Sequence, residues 1–241
     1  MFPDVVILAG GLGKRLKSVT GGTQKVLARI DGKPFISVLI DYIAAQGARR
    51  FILCTGHDAD SVEAALKNAH PDLTIIFSRE DEPLGTGGAI KKGSALVETN
   101  TFLALNGDCF CVIDYKRMIE FHENQKGQAT IAVTKMADAR DYGTIEIDSH
   151  KQIIAFKEKQ PVIQAAFINT GTYCLNCKVF SLVPILTPGV RKVEKFSIEY
   201  DFFPYLVGQG FSAFEVENKF IDIGTPERYT WAKEHLKSLK G

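Results

Sequence analysis

The sequence predicts an α/β fold, a Rossmann-like, mostly parallel sheet sandwiched by helices with a smaller antiparallel extension. Three observations carry this. Strand-length apolar runs alternate with amphipathic segments through the first half of the chain, as parallel strands joined by helices require. A glycine-rich turn, LAGGLGKRL at 8–16, follows the first strand directly, and after residue 127 the pattern changes to short strands separated by turns.

The first strand is DVVIL at 4–8. In the turn after it, glycines without a Cβ let backbone N–H groups approach an anion, and Lys14 and Arg15 add charge matched to phosphate oxygens. Read alone, this is either a phosphate cradle or a tight structural turn. It is not a dinucleotide fingerprint, whose third glycine would fall at Leu16, nor a Walker A loop, because Arg15 stands where Ser or Thr is needed. A helix follows over 35–47, where Ile36, Leu39, Ile40 and Ile43 form one apolar stripe and Gly47 stops it.

Strand RFILCT (50–55), helix SVEAALKNA (61–69), strand LTIIF (73–77), helix AIKKGSALV (89–97) and strand TFLALNGD (101–108) continue the alternation. Asp114 is the expected N-cap of a helix ending at Gly127. Short strands are then expected within ATIAVTK (129–135), GTIEID (143–148), QIIAFKEK (152–159) and FINTGTYCL (167–175), with turns at Asp148-Ser149 and Gln160-Pro161. A closing helix begins at Pro226, capped by Thr225.

With 241 residues, 45% of them hydrophobic and 24% charged, the chain is long enough for one substantial core, and residues 1–241 read as one domain. A net charge of +1 gives no general attraction to nucleic acid or membrane, so an anionic ligand must be met locally. The opening MFPDVVILAGG has no basic leader and too short an apolar run for a signal or a span, which points to a cytoplasmic protein. Five cysteines fit a reducing compartment, and the one-residue spacing of Cys109 and Cys111 on one strand face argues against zinc.

Asp108 ends one apolar strand and Asp222 another, so the pair suits Mg²⁺, which takes a few carboxylates plus substrate phosphates. Each alone serves equally well as a turn or capping residue. Lys25, ten residues beyond Arg15, is either a solvated lysine or a second phosphate contact.

Taken together and in order, LAGGLGKRL, QKVL with GKPF, EPLGTGGA (82–89), NGD (106–108), YG (142–143), EKQP (158–161), NTGTY (169–173), SIEYDFFP (197–204) and DIGTPERY (222–229) resemble the sugar-1-phosphate nucleotidyltransferases. EKQP carries Gln160 where EKP is the commoner pattern.

The resemblance implies that a sugar 1-phosphate oxygen attacks the α-phosphorus of a nucleoside triphosphate and releases pyrophosphate. By the same resemblance Arg15 holds the β and γ phosphates, Lys25 reaches the α-phosphate, and Lys159 clamps the sugar phosphate. Asp108 and Asp222 hold Mg²⁺. The nucleotide is lined by Leu8, Ala9, Gly10, Gly11, Gly13, Glu82, Gly85, Thr86, Gly87 and Gly88, and the sugar by Asn106, Gly143, Glu158, Asn169 and Glu199. Residues 1–127 would serve mainly the nucleotide, and 128–241 mainly the sugar and the closing helix.

The shape of EPLGTGGAI looks most like the guanylyltransferase branch that activates mannose- or heptose-type sugars. It implies GTP, with D-glycero-D-manno-heptose 1-phosphate as the first sugar to consider and mannose 1-phosphate or another nucleotide pairing behind it. Asp81, Glu82 or nearby carbonyls would accept from guanine. A noncatalytic sugar-nucleotide-binding regulator would be expected to lack one of Arg15, Lys25, Asp108 or Asp222, and all are present. Homo-oligomerisation is left open.

Overall fold

The computed structural model describes residues 1–11, 16, 23–157, 165–182 and 194–239. The elements run β1 (Asp4–Leu8), a 3-10 turn (Lys25–Leu27), β2 (Arg29–Ile30), β3 (Lys33–Pro34), α1 (Phe35–Ala45), β4 (Arg50–Thr55), α2 (Ala59–Leu66), β5 (Thr74–Arg79), α3 (Gly85–Ser94), β6 (Thr101–Asn106), β7 (Cys109–Cys111) and α4 (Tyr115–Gln125). They continue with β8 (Ala129–Met136), β9 (Thr144–Ile147), β10 (Ile153–Lys157), β11 (Ala166–Asn176), α5 (Val179–Leu182), a π-helical turn (Ile198–Phe202), α6 (Phe203–Leu206), β12 (Phe211–Val216), β13 (Phe220–Asp222) and α7 (Pro226–Leu239).

Among the described residues, nine strands form one sheet whose parallel centre is β6-β1-β4-β5. Period-two alternation sorts its side chains onto two cores. Val5, Ile7, Phe51, Leu53, Leu103 and Leu105 face one core with the stripe of α1, Met118 of α4 and Leu236 of α7. Val6, Ile52, Cys54, Phe102 and Ala104 face the other with Ile90 of α3 and the phenylalanines around residue 203. Helices therefore cover both faces, as the alternating sequence predicts.

β11 joins the parallel centre to the antiparallel extension. Its residues 172–176 pair antiparallel with β6 and 167–168 with β9, while β8 pairs with both stretches, at 166–169 and again at 173–175. The change of partner occurs at an irregularity between Asn169 and Tyr173, where Gly171 takes a φ of +72°, a value that an L side chain rarely adopts.

Local signals are borne out at several ends. Asp114 Oδ1 accepts from the Arg117 N–H at 3.0 Å, and Thr225 Oγ1 from the Arg228 N–H at 3.3 Å. Gly47 follows α1 with a φ of +122°. Two differences stand out. α3 starts at Gly85, not at Ala89, so the glycine run is its first turn. β12 lies outside the expected strands and pairs in parallel with β8, a partner distant in sequence that local patterning does not reveal. No helix among the described residues is long and apolar enough to cross a membrane.

Candidate active site

A cleft of about 580 Å³ lies at the carboxyl ends of the four central parallel strands. Parallel sheets leave their ligand crevice there because the connecting loops diverge from that edge. Leu8 at the end of β1 lines it with Gly10 and Gly11 just beyond, Gly56 and His57 after β4, and Glu80 to Pro83 after β5, followed by Gly85 and Thr86 in the first turn of α3. Asn106, Gly107 and Asp108 line it after β6, together with Lys25. Ala9 is buried behind this surface, its N–H bonded to Cys54 O at 2.8 Å.

Lys25 is positioned by its neighbours. Val26 and Leu27 are buried, and the Gln24 amide donates to Ala9 O at 2.6 Å and to His57 O at 2.9 Å. These contacts fix the 3-10 turn against the loops after β1 and β4. Lys25 Nζ then donates to Asp108 Oδ2 at 2.5 Å, a charge-assisted bond.

Asp222 reaches the same corner from far along the chain. It pairs with Cys109 in the β13-β7 ribbon, and the next residue, Ile223, donates its N–H to Asp108 O at 3.0 Å. Desolvation pushes the Cys109 thiol well above its ordinary range, and the charges of Asp108 and Asp222 push it further. A Cβ placed on Gly224 would lie 2.6 Å from Asp222 Oδ1 and 3.6 Å from Lys25 Nζ.

Sequence reasoning missed the two groups that fix Asp222. Tyr142 OH donates to its Oδ2 at 2.7 Å, and Arg228 Nη1 to both carboxylate oxygens at 2.9 and 3.2 Å. Arg228 also bonds Asp141 at 2.6 Å and lies 4.9 Å from the Tyr142 ring centroid. An arginine in the first turn of α7 opposes the helix dipole, and that cost is the signal that could have marked it.

Among the described residues no group of three or more His, Cys, Asp or Glu side chains is placed to hold a metal ion. The two neighbouring carboxylates offer only hard oxygen donors, which fits a magnesium-like cation completing its shell with phosphate oxygens.

A second network gathers Asn169, Glu199 and Thr86. Glu199 Oε2 accepts from Thr86 Oγ1 at 2.6 Å and from Ser197 Oγ at 2.8 Å, and its Oε1 from Tyr173 OH at 3.3 Å. Asn169 Nδ2 donates to the Tyr173 oxygen at 2.9 Å, and Asn169 Oδ1 accepts the Gly171 N–H at 2.8 Å. Tyr173, fully buried, connects the two expected sugar contacts. Asn106 stands beside Gly171, where an added Cβ would come within 2.7 Å of its Nδ2. Gly143 precedes β9 and lies alongside Phe156 and Lys157 of β10.

Gly87 and Gly88 do not line the cleft. Both donate to Phe196 O, at 2.9 and 3.2 Å. A Cβ on Gly87 would come within 2.2 Å of the Phe196 ring, and one on Gly88 within 2.2 Å of Glu194 O. These two glycines allow the 194–198 segment to pack on α3, and so bring Glu199 to Thr86. Gly13, Arg15, Glu158 and Lys159 lie outside the described residues.

A family model described as Nucleotidyl transferase matches residues 4–238. D-glycero-alpha-D-manno-heptose 1-phosphate guanylyltransferase of Aneurinibacillus thermoaerophilus is 37% identical over 97% of this chain and 98% of its own. Mannose-1-phosphate guanylyltransferase catalytic subunit beta of Drosophila pseudoobscura pseudoobscura is 32% identical over 98% of this chain and 63% of its own. The crystal structure of HddC from Yersinia pseudotuberculosis complexed with GMP-PN superposes with a TM-score of 0.83 at 38% identity, covering 98% of this chain and 100% of that one.

Proposed function

The chain belongs to the nucleotidyl transferase family, and from that premise we propose that it transfers the guanylyl group of GTP to a sugar 1-phosphate, D-glycero-D-manno-heptose 1-phosphate before mannose 1-phosphate. An oxygen of the sugar phosphate forms the new bond to the α-phosphorus. The bond from that phosphorus to the β-phosphate bridge breaks, and its electron pair leaves with pyrophosphate. No covalent enzyme intermediate is required, so catalysis rests on positioning and charge neutralisation.

The observation that carries this reading is the meeting of Lys25, Asp108 and Asp222 beside the cleft, from three separate stretches of chain. Lys25 serves the α-phosphate, while Arg15 takes the leaving phosphates and Lys159 the sugar phosphate. Asp108 and Asp222 would hold Mg²⁺, which supplies Lewis acidity and a template for the phosphate oxygens. Leu8, Gly10, Gly11 and the 80–86 segment receive the nucleoside. Asn169 and Glu199, cross-linked through Tyr173, serve the sugar with Asn106, Gly143 and Glu158.

The heptose preference is supported by a relative that matches this chain over nearly its whole length, whereas the mannose enzyme extends well beyond it. Five free cysteines agree with a cytoplasmic setting. The test is a pyrophosphate-release screen of GTP, UTP, dTTP and CTP against hexose and heptose 1-phosphates. GTP with the heptose 1-phosphate should give the highest kcat/KM. Release with another triphosphate alone overturns the guanylyl assignment, and release with no pair overturns the reaction.

A further inference from the structure

Resting on the guanylyl reading above, we infer that Arg228 is a displaceable counter-ion of Asp222. Asp141 is then a positioning residue, the acceptor that receives the guanidinium when a divalent cation takes the Asp222 carboxylate. Each acid of the corner already carries a basic side chain, Lys25 Nζ on Asp108 at 2.5 Å and Arg228 Nη1 on Asp222 at 2.9 Å. Lys25 has a phosphate to turn to. Arg228 has Asp141.

An ionised carboxylate offers about four acceptor sites. On Asp222 all are in use. Its Oδ2 accepts from Tyr142 OH at 2.7 Å and Arg228 Nη1 at 2.9 Å, and its Oδ1 from the Gly224 N–H at 2.9 Å and the same Nη1 at 3.2 Å. The side chain is only 11% exposed, so an entering cation must displace a donor rather than add to the set.

These donors are not equally free to leave. The Gly224 N–H is backbone only two residues along from the acid. The Tyr142 ring stands edge-on to Phe220 with centroids 5.8 Å apart, and its hydroxyl is neutral. Arg228 repels an entering cation, and its place in the first turn of α7 sets it against the helix dipole as well. Its Nη2 is already bonded to Asp141 at 2.6 Å, and its guanidinium lies 4.9 Å from the Tyr142 ring centroid. It can shift along that ring from one acid to the other without losing its ionic partner.

Asp141 and Tyr142 immediately precede Gly143, an expected sugar contact, in the connection between β8 and β9. Drawing Arg228 wholly onto Asp141 anchors that connection at the start of α7. Loading of the acidic corner thereby steadies the sugar side of the crevice.

The experiment titrates Mn²⁺ alone into wild type, Asp141→Asn, Asp141→Glu, Arg228→Met and the Asp141→Asn, Arg228→Met double variant, with bound metal counted by electron paramagnetic resonance. Asp141→Asn should bind Mn²⁺ about 5-fold more weakly because Arg228 has lost its alternative partner, and Asp141→Glu should restore the affinity. Arg228→Met should bind more tightly than wild type. In that background Asp141→Asn should have no further effect, since it acts through the guanidinium. Hydrogen exchange over residues 137–143 should slow when Mn²⁺ is added to wild type and stay unchanged in Asp141→Asn. The Asp141 variants and the exchange readout decide the matter even where Arg228→Met melts too low to titrate.

Equal losses from Asp141→Asn with and without Arg228 would make Asp141 a plain surface charge and overturn the inference. So would an unchanged affinity in Asp141→Asn, weaker binding by a folded Arg228→Met, or no Mn²⁺ binding by the wild type. The expected Mn²⁺ pattern without pyrophosphate release from any substrate pair would overturn the reaction proposed above and leave the counter-ion exchange standing.

Discussion

Thr86 Oγ1 donates to Glu199 Oε2 at 2.6 Å while accepting the Ile198 N–H at 3.0 Å, so one hydroxyl ties the first turn of α3 to the segment after Ser197. Thr86→Val keeps the shape and removes both bonds, at a cost of about 1–3 kcal/mol for the groups left unpaired. We expect the KM for the sugar 1-phosphate to rise by about 10-fold, more than the KM for GTP, and Thr86→Ser to restore it. Steady-state kinetics with each substrate varied checks this. Equal rises would assign the hydroxyl to the nucleotide.

Arg228 spans Asp222 and Asp141 with two nitrogens, a geometry that lysine cannot reproduce. Arg228→Lys should lower kcat by about 10-fold with little change in melting temperature, because charge remains but the carboxylate loses its fixed orientation. Arg228→Met should also destabilise by about 2 kcal/mol, since Asp222 is only 11% exposed and would lose its main cation. Urea unfolding separates the two effects.

Asp108 faces Lys25 and neighbours the Asp222 backbone, so Asp108→Asn should remove turnover by about 100-fold or more while the protein still melts cooperatively. Chelation should silence the wild type, and added Mg²⁺ should restore it. The variant should not recover across the same titration. Recovery to wild-type rate would remove Asp108 from the metal-holding pair.

His122 is buried against Thr130, with 2.9 Å between Nδ1 and Oγ1, and desolvation lowers its pKa to about 4. The unfolded chain, titrating near 6.5, then binds the proton more readily than the native one. Stability on the order of 3 kcal/mol is accordingly present above pH 6.5 and lost as pH falls toward 4. Denaturant unfolding at pH 7.5 and 5.0 should show a smaller acid loss in His122→Gln than in wild type. Equal losses would place the acid sensitivity elsewhere.

The parallel centre and the acidic corner were legible because their signals are local. Runs such as RFILCT carry strand patterning in themselves, and the two acids stand out beside apolar strands, Asp222 as the last residue of one and Asp108 two residues beyond another. Tyr173 and Arg228 were not. Tyr173 reads as an ordinary core aromatic until Asn169 and Glu199 are seen on its hydroxyl, and Arg228 reads as one charged residue of the closing helix until Asp222 and Asp141 are seen on its guanidinium. The roles of Gly87 and Gly88 were hidden for a related reason. A glycine run signals close approach but not its partner, which here is the backbone around Phe196, more than a hundred residues away.

β8 pairs with both stretches of β11, while the other neighbour of β11 changes from β9 at Phe167 and Ile168 to β6 from Thr172 onward. Side chains alternate along a strand, so inserting one residue between Asn169 and Tyr173 would turn that amide away from the Tyr173 hydroxyl while Tyr173 stayed paired with Ala104. The placement of Asn169 relative to β6 is thus set by the number of residues in one bend of one strand, which leaves that bend less room for insertion or deletion than the loops at the strand ends.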